Sequence, residues 1–270
     1  MRKTLYTVLT ALLLMSLARA AAAQDSKPAT APKSDAKAEE VIRKAVEAVG
    51  GPAYLDVRTV VSRGYFSQYH EGKQMPPMTF VDYLAFPDRE RTEFKGSGNR
   101  MVQTNTGETG WVYEGQSKKI TDVTPAQAED FKTAMRVSLD NILRGWWRKE
   151  GASLAYAGRR EAGLAMRNEA VRLSYLDGFE VEFEFGARDF LPAKALYKKK
   201  NAEGETVEEE DRFAQFLYIG AVRVPFVVDH YRAGTQSSRV NFDKVEFNVE
   251  IPASLFAKPG DLKALLKSLK

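Results

Sequence analysis

Glu180-Val181-Glu182-Phe183-Glu184-Phe185 alternates without a fault. Successive side chains of an extended strand point to opposite faces, so Val181, Phe183 and Phe185 share one face and three glutamates share the other. Downstream, Glu203-Gly204 predicts a tight hairpin that sets Lys198 opposite Glu209 and Lys199 opposite Glu208. Such a ribbon is a charge-guarded, solvated edge rather than a binding patch. Val224 to Tyr231 is the next strand, and Pro225 within it predicts an edge or a bulge. Val240 and Phe242 are even-numbered, whereas Val245, Phe247 and Val249 are odd. That parity switch at Asp243-Lys244 predicts a β-bulge.

Upstream, strands with polar turns run from Val57 to Tyr69, Met78 to Phe86, Arg89 to Lys95, Arg100 to Thr106, Thr109 to Tyr113 and Lys118 to Val123. One helix interrupts them. Thr124 suits the N-cap, Pro125 the first helical position, and Gln127 completes a capping box. Phe131, Met135, Leu139, Ile142 and Trp146 then form a single helical stripe. Strands resume at Ser153 and run nearly to Glu250. A short helix precedes the first strand, with Val41, Ile42, Ala45, Val46 and Val49 at helical spacing and Gly50-Gly51 as its stop. About ten strands with hairpin-length turns and few helices predict a mainly β fold, one large curved antiparallel sheet.

The first 23 residues have the parts of a secretory signal: basic Arg2 and Lys3, an apolar run from Leu5 to Leu17, and small residues that place cleavage near Ala21 or Gln24. The apolar run falls short of the ~20 residues that span a bilayer. Residues 24–38, rich in Pro, Ala, Ser, Lys and Asp, read as a flexible linker, and residues 39–270 as one domain. The chain has no cysteine, which excludes both disulfides and a lipid anchor. Of 40 basic and 36 acidic residues, Arg2, Lys3 and Arg19 leave with the signal, so 37 remain against 36. A nearly neutral exported chain gives no reason to invoke nucleic acid.

Catalytic patterns are missing from the sequence. His70 and His230 have no metal-ligand spacing and read as structural residues. No GxSxG elbow occurs, and Gly96-Ser97-Gly98 is too short for a phosphate loop. The acids sit mostly on solvent faces of strands, so neither an enzyme nor a cofactor is expected. The aromatic supply is the feature left to explain. A curved sheet with one apolar face, crossed by an amphipathic helix, encloses a pocket wherever the helix does not fill it.

Several segments together resemble the periplasmic lipoprotein carriers of the LolA/LolB type and the related sigma-regulator sensor proteins. They are Val49-Gly50-Gly51, the strand carrying Gly64, Phe86-Pro87-Asp88-Arg89-Glu90-Arg91, Thr109-Gly110-Trp111 after Gly107, Arg188 to Lys194 with its Leu191-Pro192 step, and Gly220 to Pro225. The resemblance runs from about Glu40 to Phe256. It implies an unclosed, strongly curved half-barrel whose helices plug the concave face around a hydrophobic cavity for acyl chains. Arg91 fits the motif position of the family's cavity arginine. The candidate cavity residues are Trp111, Phe183 and Phe185 on strands, Leu139, Ile142 and Trp146 on the helix, and Arg91. The expected function is a soluble periplasmic carrier of a lipid or lipoprotein acyl chain. The alternative is a cell-envelope sensor or interaction module of the same fold whose partner is a protein.

Overall fold

The computed structural model describes residues 34–107, 109–201 and 204–269. The expected signal and its cleavage sites, and most of the expected linker, lie outside them. Seven strands precede the central helices: β1 (Thr59–His70), the two-residue β2 (Lys73–Gln74), β3 (Met78–Ala85), β4 (Arg89–Gly96), β5 (Asn99–Thr106), β6 (Thr109–Glu114) and β7 (Lys119–Asp122). Seven follow: β8 (Ser153–Glu161), β9 (Arg167–Ser174), β10 (Glu180–Gly186), β11 (Pro192–Lys200), β12 (Thr206–Ile219), β13 (Val222–Arg232) and β14 (Thr235–Phe247). They form one antiparallel sheet in the order β7-β6-β5-β4-β3-β1-β14-β13-β12-β11-β10-β9-β8, with β2 paired to β1. The end strands β7 and β8 do not pair with each other, so the sheet is an unclosed half-barrel.

In β10, the alternation noted above places Val181, Phe183 and Phe185 in the core with no exposure. Glu180 on its acidic face is exposed, but Glu182 and Glu184 are buried, which alternation alone does not foretell. Glu182 accepts from Arg160 at 2.9 Å and from Arg172 at 3.0 Å, while Glu184 accepts from Asn168 at 2.8 Å. Long basic side chains from β8 and β9 roof these glutamates, keeping them paired where water is scarce.

The register of the sheet turns on one residue. Arg63 pairs with Lys244, but Gly64 pairs with Phe242, so Asp243 is the extra residue of a bulge at the predicted parity switch. It keeps Phe242 and Val245 on the same face of the sheet. Gly64 is required opposite it, because a Cβ there would lie 2.0 Å from the Asn241 carbonyl oxygen. The Lys/Glu ribbon is one residue off its expected register: Lys198 faces Glu208 and Lys199 faces Val207. The connection is longer than a two-residue turn, since Asn201 Oδ1 accepts the Glu205 N–H at 2.8 Å and the ladder starts only at Lys200 and Thr206. Pro225 lies in an interior strand, not at a sheet edge. The ladder from β13 to β14 begins at Val227–Asn241, so Pro225 sits where no partner on that side needs its missing N–H.

Helix α1 (Ala36–Ala48) is N-capped by Asp35, whose side chain accepts the Lys37 N–H at 2.7 Å, so it starts within the expected linker. Its buried face, Ala38, Val41, Ile42 and Ala45, packs on β8 and β9. Gly50 and Gly51 turn the chain into α2 (Pro52–Leu55), and Val49 O takes the Arg223 N–H at 2.9 Å, beside the gap in the β13–β14 ladder. The Thr124–Gln127 capping box forms in full. The expected single helix is instead two, α3 (Pro125–Val137) and α4 (Leu139–Arg144), followed by a 3₁₀ turn at Trp146–Glu150. Ser138 is extended at the break and its hydroxyl accepts the Asn141 N–H, so one residue ends α3 and caps α4. A C-terminal segment with α5 (Leu262–Ser268) covers the outer face of β5 and β6, where Leu265 and Leu269 pack with Val102, Trp111 and Tyr113.

Candidate functional site

Residues directly opposite one another in an antiparallel ladder share a face. Following that rule from Phe183 through Ala195, Asp211, His230, Ser238, Gln68 and on around the sheet traces the concave surface, which includes Val60 and Ser62 of β1, Asp82 and Leu84 of β3, and Glu90 of β4. The helices fill this trough unevenly. Over β9 to β11 they pack directly, and Val171, Leu173, Val181, Phe183, Phe185 and Ala195 have no exposure. Over β12 to β14, β1 and β3 the wall side chains Phe213, Val228, Val240, Phe242 and Leu84 are only half-buried. They line a cavity of about 500 Å³, closed on the helical side by Tyr54, Leu139, Leu143 and Arg144.

Three polar groups interrupt the apolar wall. On the helical side, Asp140 accepts from Tyr54 Oη and Arg144 Nε, both at 2.7 Å. Arg144 also donates to the carbonyls of Tyr54, Leu55 and Val57 and lies 4.5 Å from the rings of Tyr54 and Phe86. This knot fixes α4 to α2. Burial and then Asp140 raise the Tyr54 hydroxyl well above its ordinary pKa. At the opposite end, His230 Nδ1 is hydrogen-bonded to Asp211. Burial opposes its charge, but Asp211, backed by Asp229 and Glu209, outweighs burial and raises the imidazole pKa.

The third group is a pair of carboxyls. Asp82 faces Thr92 and Leu84 faces Glu90 in the β3–β4 ladder, so Asp82 and Glu90 are diagonal neighbours on one face. Both are held well above the ordinary carboxylate range. Burial is the main cause for each, and the charge of Asp82 adds to it at Glu90. Asp82 accepts from Thr92 Oγ1 at 2.8 Å. Among the described residues, neither carboxyl forms an ion pair, and Glu90 has no side-chain hydrogen bond.

Of the candidate residues, Leu139 lines this cavity. Phe183, Phe185 and Ile142 stand beside it in the packed core, each with no exposure. Trp146 packs edge-on against Phe86 at 5.4 Å and lines a separate groove beside α3. Trp111 and Arg91 lie on the convex face, because Arg91 pairs across from Thr104 and Thr104 from Trp111, out of phase with Glu90. There Trp111 Nε1 donates to Phe256 O at 3.0 Å, Arg91 donates to Leu255 O at 2.8 Å, and the two side chains stack at 5.4 Å. Together they hold the C-terminal segment. Asp82, Glu90, Asp211 and His230 were not foreseen at the cavity. The signal available for Asp82 is its place in Phe80-x-Asp82-x-Leu84, a charge at an apolar parity.

Among the described residues, no three His, Asp or Glu side chains are grouped to hold a metal ion. No described helix is long and apolar enough to cross a membrane. No protein-family model matches the sequence, and no curated protein matches it. Solved structures do match. A DUF1329-family protein from Desulfovibrio piger aligns with TM-score 0.57 at 12% identity, over 82% of this chain and 97% of its own. A LolA-superfamily protein from Nitrosomonas europaea aligns with TM-score 0.55 at 14% identity, over 82% and 97%. A domain from Vibrio parahaemolyticus described as an outer membrane lipoprotein-sorting protein aligns with TM-score 0.55 at 11% identity, over 81% and 97%. The chain thus shares the fold of these solved structures, a LolA-superfamily protein among them.

Proposed function

We propose that the protein is a soluble periplasmic carrier, not an enzyme, that shelters the hydrocarbon part of a lipid or lipoprotein in its concave cavity. One observation supports this above the others: the helices leave the apolar trough unfilled over β12 to β14, β1 and β3, and Phe213, Val228, Val240, Phe242 and Leu84 keep surface there that packing does not use. A volume of about 500 Å³ falls within the roughly 300–1,000 Å³ of small-molecule sites. Each methylene moved from water into such a space contributes roughly 0.8 kcal/mol. The signal reading of residues 1–23 supplies the compartment.

Nile red, a neutral lipophilic dye, tests the reading. Saturable, stoichiometric binding with blue-shifted emission is expected. Phe242→Glu should remove it while the protein stays folded, because a half-buried wall position lets the charge keep water. Absence of saturable binding to the wild type, or unchanged binding by Phe242→Glu, overturns the carrier and favours a sensor whose partner is a protein.

A further inference from the structure

Two carboxyls on the wall of an apolar cavity are costly, and folds that bury such groups ordinarily pair them. The other two acids of this cavity are paired. Asp140 is matched by Arg144, and Asp211 by His230. Arg223 is the remaining base on the wall; its guanidinium lies 5.0 Å from the ring of the exposed Tyr218, and its Nε is buried without a hydrogen-bond partner. Asp82 and Glu90 face the same space that Leu84, Phe86 and Phe242 line, and neither has a counter-charge beside it: no basic side chain contributes to the electrostatics of either carboxyl. Nor does either act as a brace for the fold. Asp82 has only the Thr92 hydroxyl as a side-chain partner, and the neighbouring Ser62 is buried without contributing a bond to either.

We propose that Asp82 and Glu90 form a head-group site for a protonated amine, so that the ligand is a cationic amphiphile whose chain lies along the apolar wall. The assignment rests on the carrier reading and narrows it. An ammonium donates up to three hydrogen bonds and accepts none, which matches two adjacent carboxyls. In a cavity of low polarity, charge-assisted bonds of this kind are about twice as strong as neutral ones. A fatty-acid carboxylate placed there would instead meet like charge. A neutral alcohol would gain only the hydrocarbon contacts and one ordinary hydrogen bond.

Dodecylamine, dodecanol and dodecanoate present one chain with three heads, and competition with Nile red reads their affinities near neutral pH. Dodecylamine should bind about tenfold more tightly than dodecanol, with dodecanoate weakest. In Asp82→Asn/Glu90→Gln the amine and alcohol should become equal, with dodecanol binding retained as proof that the cavity is intact. Should that chain not fold, Glu90→Gln alone carries the same comparison and should narrow the preference. Dodecanoate binding as tightly as the amine, an amine no better than the alcohol, or a preference that survives both substitutions overturns the head-group site alone. Failure of all three probes overturns the carrier reading and the head-group site with it.

Discussion

Glu90 is a side chain whose surroundings disfavour its charge. Its pKa is raised in the folded protein, so the folded state holds a proton that the unfolded state has released. The sign follows: stability is highest in the acid range below the ordinary carboxylate value and falls as pH climbs through neutrality. Glu90→Gln should therefore be about as stable as wild type near pH ~5 and more stable near pH ~8.5, by roughly 1–3 kcal/mol, read from urea unfolding at the two pH values. Equal stability at both values would show that the carboxyl is not desolvated. Phe183 is the opposite case, a side chain with no exposure and no cavity surface. Phe183→Ala should cost about 3–5 kcal/mol and lower the urea midpoint, whereas Phe242→Ala, at the half-buried wall, should cost visibly less.

Among the elements, the C-terminal segment is held by Leu265 and Leu269 on Val102, Trp111 and Tyr113, by the bonds of Arg91 and Trp111 to Leu255 and Phe256, by Arg100 donating to Leu269 O at 2.7 Å, and by the Lys258–Asp122 ion pair. Arg91→Ala should loosen it near Leu255, giving faster proteolytic cleavage after residue 250 with Nile red binding unchanged. Loss of dye binding with an intact C-terminus would return Arg91 to the cavity. The convex placement of Arg91 and Trp111 was not legible, because alternation sorts residues into two faces without saying which face is concave, and this sheet carries apolar cover on both. The break at Ser138 was hidden for a related reason. Leu139, Ile142 and Trp146 keep helical spacing across it, and only the Ser138–Asn141 cap signals a new start. Where local chemistry is self-sufficient, reading succeeded, as at the Thr124–Gln127 box, at the stop after Val49, and in β10. The ribbon register failed by one residue because Asn201 closes a longer loop than Glu203-Gly204 implies. Asp82 and Glu90 escaped notice since a charge on a strand is ordinarily a solvated one.

The described residues gather into one compact unit, within which helices and both halves of the sheet share a core. Val137, Ile142 and Trp147 from the helices meet Val171 and Phe183 from late strands and Val57, at the foot of β1, in that core. Heat or urea should therefore unfold the chain in a single cooperative transition, with near- and far-ultraviolet circular dichroism changing together. Two separated transitions would show that the early strands β3 to β7 form a second domain. Asp243 has a further meaning for anyone who would rebuild this protein. It acts as a phase shifter within β14: deleting Asp243 alone would leave Phe242 and Val245 two residues apart and still on one face, whereas deleting two residues there would turn the end of the strand over. Away from that point, changes of strand length on this frame should come in even steps, because a single residue added to a regular stretch turns the lining beyond it outward.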